Sequence, residues 1–332
     1  MASAAAIGKR GDVTARSRVA GNVALVTGAT AGIGLATARR LIADGANVMS
    51  AARDGDRARR ALAGLEPEHA AFEHVDVTDE VSVAALIEAT LERFGRIDYL
   101  FNNAGAEGTV GPMAAWSPKD VDTVMAVNVK GAFLCMKHAA PRMQPGATIV
   151  NTSSLLATIP MPLAAAYAAS KAALLSLTRS AAAELAERGI SVVAICPGVV
   201  DTPMLDRVSR AAGAPKAALA EMVCPSRQVM SPEAVADVVL ALLAGQRGFD
   251  TGSALRVDRM PLRSSPETDE GTDEIDDAAA AESQQHASKQ DCGCVGDPSA
   301  GSAASSRAAS RRRASRRPEL HTPSPRAPAA LR

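Results

Sequence analysis

The sequence is poor in several things, and each shortage narrows the possibilities. It lacks an excess of charge: 36 Lys and Arg stand against 36 Asp and Glu in 332 residues. A balanced chain is not built mainly to hold nucleic acid or another polyanion. Cysteine is scarce. The five residues Cys135, Cys196, Cys224, Cys292 and Cys294 do not make a disulfide framework, which points to a reducing compartment and a cytoplasmic protein. Cys292-Gly293-Cys294 with His286 matches no zinc-ligand spacing, so no metal site is expected. No apolar run reaches the roughly 18 residues of a membrane span. The richest stretch, 155–169, is broken by Pro160 and Pro162. Residues 1–20 carry Lys9, Arg10, Arg16 and Arg18 without the apolar run of a secretory signal, and read as a disordered extension, with a transit peptide as the alternative.

Aromatic residues are few, and all eight lie between Phe72 and Phe249. From Arg259 to Arg332 there are none, and the large apolar residues are only Met260, Leu262, Ile275, Val295, Leu320 and Leu331. That stretch cannot bury enough surface to offset the entropy of ordering. It divides into an acidic block, Glu267 to Glu282, and an Arg-rich block, Arg307 to Arg317. The expected organisation is an extension (1–20), one domain (21–258) and a disordered low-complexity tail (259–332).

Within 21–258, short apolar, β-branched runs alternate with helical patterns. The runs are 22–27, 47–51, 71–75, 99–102, 148–153, 191–195 and 253–257. Nearly continuous apolar runs suit strands covered on both faces. Ser117-Pro118, Ser231-Pro232-Glu233 and Thr78-Asp79-Glu80 read as helix starts. The expected fold is α/β: a Rossmann-type doubly wound parallel sheet of about seven strands in a single domain.

Thr27-Gly28-Ala29-Thr30-Ala31-Gly32-Ile33-Gly34 follows the first strand and opens a helix. Glycines let backbone approach a ligand, and the helix N-terminus offers N–H groups and positive potential to a pyrophosphate. Gly28, Thr30, Gly32, Ile33 and Gly34 are the candidate cradle. The second strand ends in Ala51-Ala52-Arg53-Asp54, where the adenosine ribose is expected. A neutral Ala52 followed by Arg53 suits a 2′-phosphate and favours NADP(H). Asp54, about twenty residues past the glycines, is the competing feature that leaves NAD(H) open.

Tyr167 and Lys171 stand at i and i+4 in an Ala-rich helix, on one face. An ammonium beside a phenol is expected to lower the phenol's pKa and fit it for proton exchange with an alcohol or carbonyl oxygen. Ser154 ends the fifth strand at the sheet's carboxyl edge, where it can steady the same oxygen.

These residues, with Asp76-Val77, Asn102-Asn103-Ala104-Gly105, Asn128, Tyr167-x-x-x-Lys171 and Pro197-Gly198, resemble the short-chain dehydrogenase/reductase family in its TGxxxGxG branch, over residues 21–258. The resemblance implies an NAD(P)-dependent oxidoreductase that interconverts a secondary alcohol and its ketone. Tyr167 would be the general acid/base. Lys171 would also bind the nicotinamide ribose, Ser154 would orient the substrate oxygen, and Asn128 would hold a water linking Lys171 to solvent. Asp76 would accept from the adenine amino group with Val77 packed beside it. Asn103 and Ala104 would lie along the adenosine ribose. Val200 and Thr202 would bind the carboxamide and phosphates. It also implies a homotetramer or homodimer. Two departures stand out. Val257-Asp258 is followed by Arg259-Met260 instead of the family's Gly-Gly, which removes a segment that often packs on a neighbouring subunit. Ala31 replaces a basic residue that some NADP enzymes carry.

The candidate substrate pocket is apolar: Leu155, Leu156 and Met204, with Met161 and Leu205. The expected substrate is a secondary alcohol or its ketone, alicyclic or otherwise lipophilic, with an acyl-thioester ketone as the alternative the resemblance implies and residues 203–231 as a lid. The competing expectation is a catalytically silent dinucleotide sensor or a scaffold whose tail binds a partner.

Overall fold

The computed structural model describes residues 18–245 and 249–258. Seven parallel strands form one sheet in the order β3-β2-β1-β4-β5-β6-β7. They are β1 (Val23–Thr27), β2 (Asn47–Ala52), β3 (Ala70–His74), β4 (Tyr99–Asn102), β5 (Thr148–Thr152), β6 (Ser191–Pro197) and β7 (Ala254–Val257). The order reverses between β1 and β4. Their carboxyl ends diverge there and leave the crevice where such sheets bind ligands.

Alternation along each strand feeds two cores. In β1, Ala24 and Val26 point to one face and Leu25 to the other. The first face is covered by α1 (Gly32–Ala43), through Ala38, Leu41 and Ile42. The helix Pro232–Leu243 packs beside it through Val235, Val238 and Val239. The second face is covered by α3 (Glu80–Phe94), α5 (Gly131–Ala139) and α6 (Ala165–Leu185). Fully burying each Val, Leu or Ile stabilises the fold by about 1.5–3 kcal/mol, which explains why a chain so poor in aromatics still builds two cores. A third apolar cluster, with Leu155, Leu175, Leu205, Leu219 and Val223, lies under α7 (Pro203–Ala212) and α8 (Lys216–Val223).

The helix starts follow the sequence. In α4 (Pro118–Met125), Ser117 and Asp120 form a reciprocal capping box. Ser231 accepts from Ala234 N at the start of α9 (Pro232–Leu243). For α3 the cap is Asp79, which accepts from Val81 N. Asp54 caps α2 (Gly55–Leu62) by accepting from Arg57 N at 2.9 Å.

Three features differ from expectation. The core begins before residue 21, because Val19 is fully buried and Arg18 Nη1 donates to Ala244 O at 3.3 Å. Strand β6 runs on to Pro197 because β7 pairs with it as far as Val257. A π-helical turn, Ala126–Lys130, joins α4 to α5 and contains Asn128. Such turns often occur at functional sites and leave little trace in sequence periodicity. The expected extension, apart from Arg18 to Ala20, and the expected tail with its Cys292, Cys294 and His286 lie outside the described residues.

Candidate active site

The turn after β1 is shaped by contacts that leave no room for side chains. Gly28 has φ +68°, and a Cβ there would sit 3.0 Å from Ala104 Cα. A Cβ on Gly34 would lie 2.5 Å from both Gly28 O and Asn103 Nδ2. Asn103 pins this turn: its Nδ2 donates to Thr27 O at 3.2 Å, and its backbone N donates to Thr27 Oγ1 at 3.0 Å. Ala104 N shares the same hydroxyl at 3.1 Å. Thr27 therefore organises both loops, a role its place at the head of the glycine motif only hinted at. The N-terminus of α1 has no side-chain cap and no acid in its first turn. Its free N–H groups, together with the missing Cβ atoms, fit a dinucleotide pyrophosphate.

A cavity of about 450 Å³ extends from this turn to α7 and α8. Gly28, Gly32, Ile33, Asn103, Ala104, Ser154, Tyr167, Lys171, Val200 and Thr202 line it. Thr202 caps α7 by accepting from Leu205 N, and its methyl group approaches Gly32. Gly34 stands behind the turn, and Thr30 does not border the cavity.

Arg53, Asp76 and Val77 sit beyond the cavity, at the carboxyl ends of β2 and β3. Arg53 lies near enough to Asp76 to help hold its carboxyl below the usual range. The main cause of that lowering is donation from Thr78 N. Thr78 Oγ1 also donates to the same oxygen, at 2.8 Å. Val77 packs on Gly131, where a Cβ would come within 2.8 Å of Val77 Cγ2. Arg57, which the sequence did not single out, does line the cavity.

Ser154, Tyr167 and Lys171 converge because β5 and α6 are stitched together. Ser153 Oγ donates to Lys171 O at 2.9 Å, and Lys171 Nζ donates to Thr152 O at 2.7 Å. Beneath them, Asn102 Nδ2 donates to Asn151 Oδ1, and Asn151 Nδ2 to Thr178 Oγ1, each at 2.9 Å. This buried chain locks β4, β5 and α6 in register. Lys171 Nζ lies 5.6 Å from the Tyr167 ring centroid.

Burial changes the electrostatics from what the i, i+4 spacing predicts. Desolvation pushes the Tyr167 phenol up to about 12, and hydrogen bonding to Ser154 only partly offsets it. Nearby Glu107 and Cys196 push it further up. Burial lowers Lys171 to about 8. The expected lowering of Tyr167 by Lys171 is thus outweighed in the chain alone, because Lys171 is buried and Tyr167 partly so, and desolvation disfavours charge on either.

Asn128 is held by three bonds. Its Oδ1 accepts from Ala106 N at 2.8 Å, and its Nδ2 donates to Ala106 O and to Ser170 Oγ at 3.0 and 2.9 Å. It does not line the cavity. A Cβ on Gly105 would lie 3.4 Å from Asn128 Oδ1 and 3.6 Å from Lys171 Nζ. The two groups therefore border one small volume without touching.

At the other end, Leu156, Met161, Met204 and Leu205 line the cavity. Leu155 does not. It is fully buried in the cluster beneath, because the short helical turn 155–157 points it into the core and presents Leu156. The sequence pattern also missed Leu163, Val208, Met222 and Val223. Leu163 has φ +70°, and its carbonyl accepts from Gly111 N at 3.0 Å. A branched side chain in that conformation is a local strain of a kind that gathers at ligand sites.

Comparison with known proteins agrees with this geometry. A family model described as Enoyl-(Acyl carrier protein) reductase matches residues 28–259. The chain is 38% identical over 238 residues to an uncharacterized short-chain type dehydrogenase/reductase of Sinorhizobium fredii, covering 72% of this chain and 43% of that protein. The chain thus spans less than half of that relative. It is 38% identical over 247 residues to cis-4-hydroxycyclohexanecarboxylate dehydrogenase of Sinomonas cyclohexanicum, covering 71% of this chain and 94% of that one. Among solved structures it superposes on 3-ketoacyl-(acyl-carrier-protein) reductase from Brucella melitensis complexed with NADH. The TM-score is 0.66 with 31% identity, over 72% of this chain and 98% of that one. Among the described residues, no helix is long and apolar enough to cross a membrane. The family match takes in almost all of the described fold, from the glycine turn onward, and the chain belongs to the short-chain dehydrogenase/reductase family of NAD(P)-dependent oxidoreductases, as an enzyme acting on alcohols and ketones.

Proposed function

We propose that the protein interconverts a lipophilic, alicyclic secondary alcohol and its ketone, using NADP(H) in preference to NAD(H). The observation that carries this reading is the convergence of Ser154, Tyr167 and Lys171 on one cavity that continues from a glycine cradle into an apolar chamber. Gly28, Gly32, Ile33, Asn103, Ala104, Val200 and Thr202 would hold the dinucleotide, which when bound supplies or accepts the hydride. Ser154 Oγ orients the substrate oxygen. Tyr167, kept protonated by its dry surroundings, gives its proton to the oxygen of a ketone and takes it back from an alcohol. Lys171 fixes the ribose. Asn128, held against Ala106 and Ser170, borders the same space as Lys171 and suits a water bridge to it.

Support for NADP(H) comes from the end of β2. Asp54 caps α2, with one carboxylate oxygen accepting from Arg57 N. Arg53 is exposed at the strand end and Arg57 lines the cavity. Two guanidinium groups near one ribose suit a 2′-phosphate. Titration with NADPH and NADH, followed by nicotinamide fluorescence, tests this. Tighter NADPH binding and NADPH oxidation by cyclic ketones are expected. Tighter NADH binding would refute the cofactor assignment, and no oxidation of either with any ketone would refute the reaction.

A further inference from the structure

The mostly apolar substrate chamber carries a charged pair at one place. Four charged side chains line the whole cavity: Arg57, Glu107, Lys171 and Arg207. Arg57 belongs to α2, at the cofactor end, and Lys171 is bonded to Thr152 O. Glu107 and Arg207 remain, and they are bonded to each other. Arg207 Nε donates to Glu107 Oε1, and Arg207 Nη2 donates to Oε2 at 3.1 Å. This fork joins the lid helix α7 to the segment after β4, two parts of the chain that are 100 residues apart. The Glu107 side chain is only 17% exposed, whereas Arg207 is 52% exposed. Nearby, Lys216 Nζ holds Asp201 and Asp206 at 2.5 and 2.6 Å.

We propose that the Glu107–Arg207 fork is a specificity determinant that admits uncharged substrates and rejects those bearing a carboxylate. The proposal rests on the ketone-reductase reading above and narrows its substrate class. An uncharged ring meets Leu156, Met161, Met204 and Val208 and leaves the fork intact. A carboxylate brought into the same chamber faces Glu107, a like charge. To reach Arg207 it must break the fork and strand a mostly buried carboxylate without its partner. Discrimination of this kind rests on the repulsive element as much as on the apolar fit. Removing the charge of Glu107 relaxes the preference, because Arg207 can then receive an anion through the same two donors.

The test compares 4-oxocyclohexanecarboxylate with its methyl ester, which share a ring and a ketone and differ in charge. In the full-length protein with NADPH, kcat/KM for the ester exceeds that for the acid by about tenfold or more. In Glu107→Gln the ratio falls at least about fivefold, through gain on the acid, and in Glu107→Gln/Arg207→Gln that gain is lost. Equal turnover of acid and ester by the native protein would overturn the proposal, as would an unchanged ratio in Glu107→Gln. Calorimetric binding of both compounds to the NADPH-loaded protein separates this from the catalytic reading. Ester preference in binding, relaxed by Glu107→Gln, sustains the fork's role even without turnover. Equal binding, or binding of neither compound, overturns it. Loss of turnover alone counts only against the proposed reaction.

Discussion

The two ends of the cavity are built by different means. The cofactor end is made of backbone. Gly28 and Gly34 are packed against Ala104 and Asn103, and a shared Thr27 hydroxyl holds two loops at a fixed separation. The substrate end is made of side chains on α7 and α8, held down by the Glu107–Arg207 fork and the Lys216 pairs. A backbone cradle leaves few solutions and suits a ligand that never changes. A floor of Leu and Met under helices fastened by ion pairs can be revised residue by residue, so specificity is expected to be set there.

That contrast can be broken at four points. The largest effect is expected where the two ends meet: Tyr167→Phe should lower kcat by roughly 10²–10⁴ while leaving NADPH affinity nearly intact, read from steady-state rates and fluorescence titration. Retained turnover would remove Tyr167 from the chemistry. Next comes Gly34→Ala. Its Cβ would meet the Gly28 carbonyl at 2.5 Å, so the cradle must shift at a cost of about 1–3 kcal/mol, seen as lower Tm and weaker NADPH binding. The matching change at the other end, Leu156→Ala, should alter KM for the ketone and spare cofactor affinity. Third, Arg57→Ala should weaken NADPH by about tenfold and NADH little, since only the phosphate loses a charged donor. Equal losses would place Arg57 away from the 2′-phosphate.

The smallest effect concerns pH. Lys171 is lowered to about 8, so it loses its proton as pH rises through that value. Ketone reduction consumes a proton and should fall to about half its low-pH rate near pH 8, while alcohol oxidation rises. In Lys171→Gln the residual reduction should lose that step. A profile flat across pH 7–9 in the native protein would mean that Lys171 does not limit proton supply.

Legibility differed in the same way. Strand positions, the glycine turn and the Ser154, Tyr167 and Lys171 set could be read because each has a local cause: β-branched runs, missing side chains, a helical spacing of four. Leu155 and Leu156 could not be told apart, because one short helical turn decides which of two adjacent leucines enters the core. Glu107 and Arg207 carried no signal, since nothing local joins two charges 100 residues apart. Asp54 looked like a ribose ligand by position and serves as a helix cap. The tail's expected disorder and the proposed limit at Asp258 can be tested by ending the chain there, which should leave cofactor binding unchanged.

By itself the sequence determined the fold class and the family and pointed to the proposed reacting groups, because these follow from periodicity and from motifs in which neighbours along the chain act together. Tertiary structure alone decided the state of those groups and the character of the chamber. Burial raised Tyr167 and lowered Lys171 against the expectation from their spacing. Helix α7, folded against the segment after β4, placed an arginine on a glutamate in the cavity lining. Desolvation and long-range charge pairing depend on distances through space, and those exist only once the chain has folded.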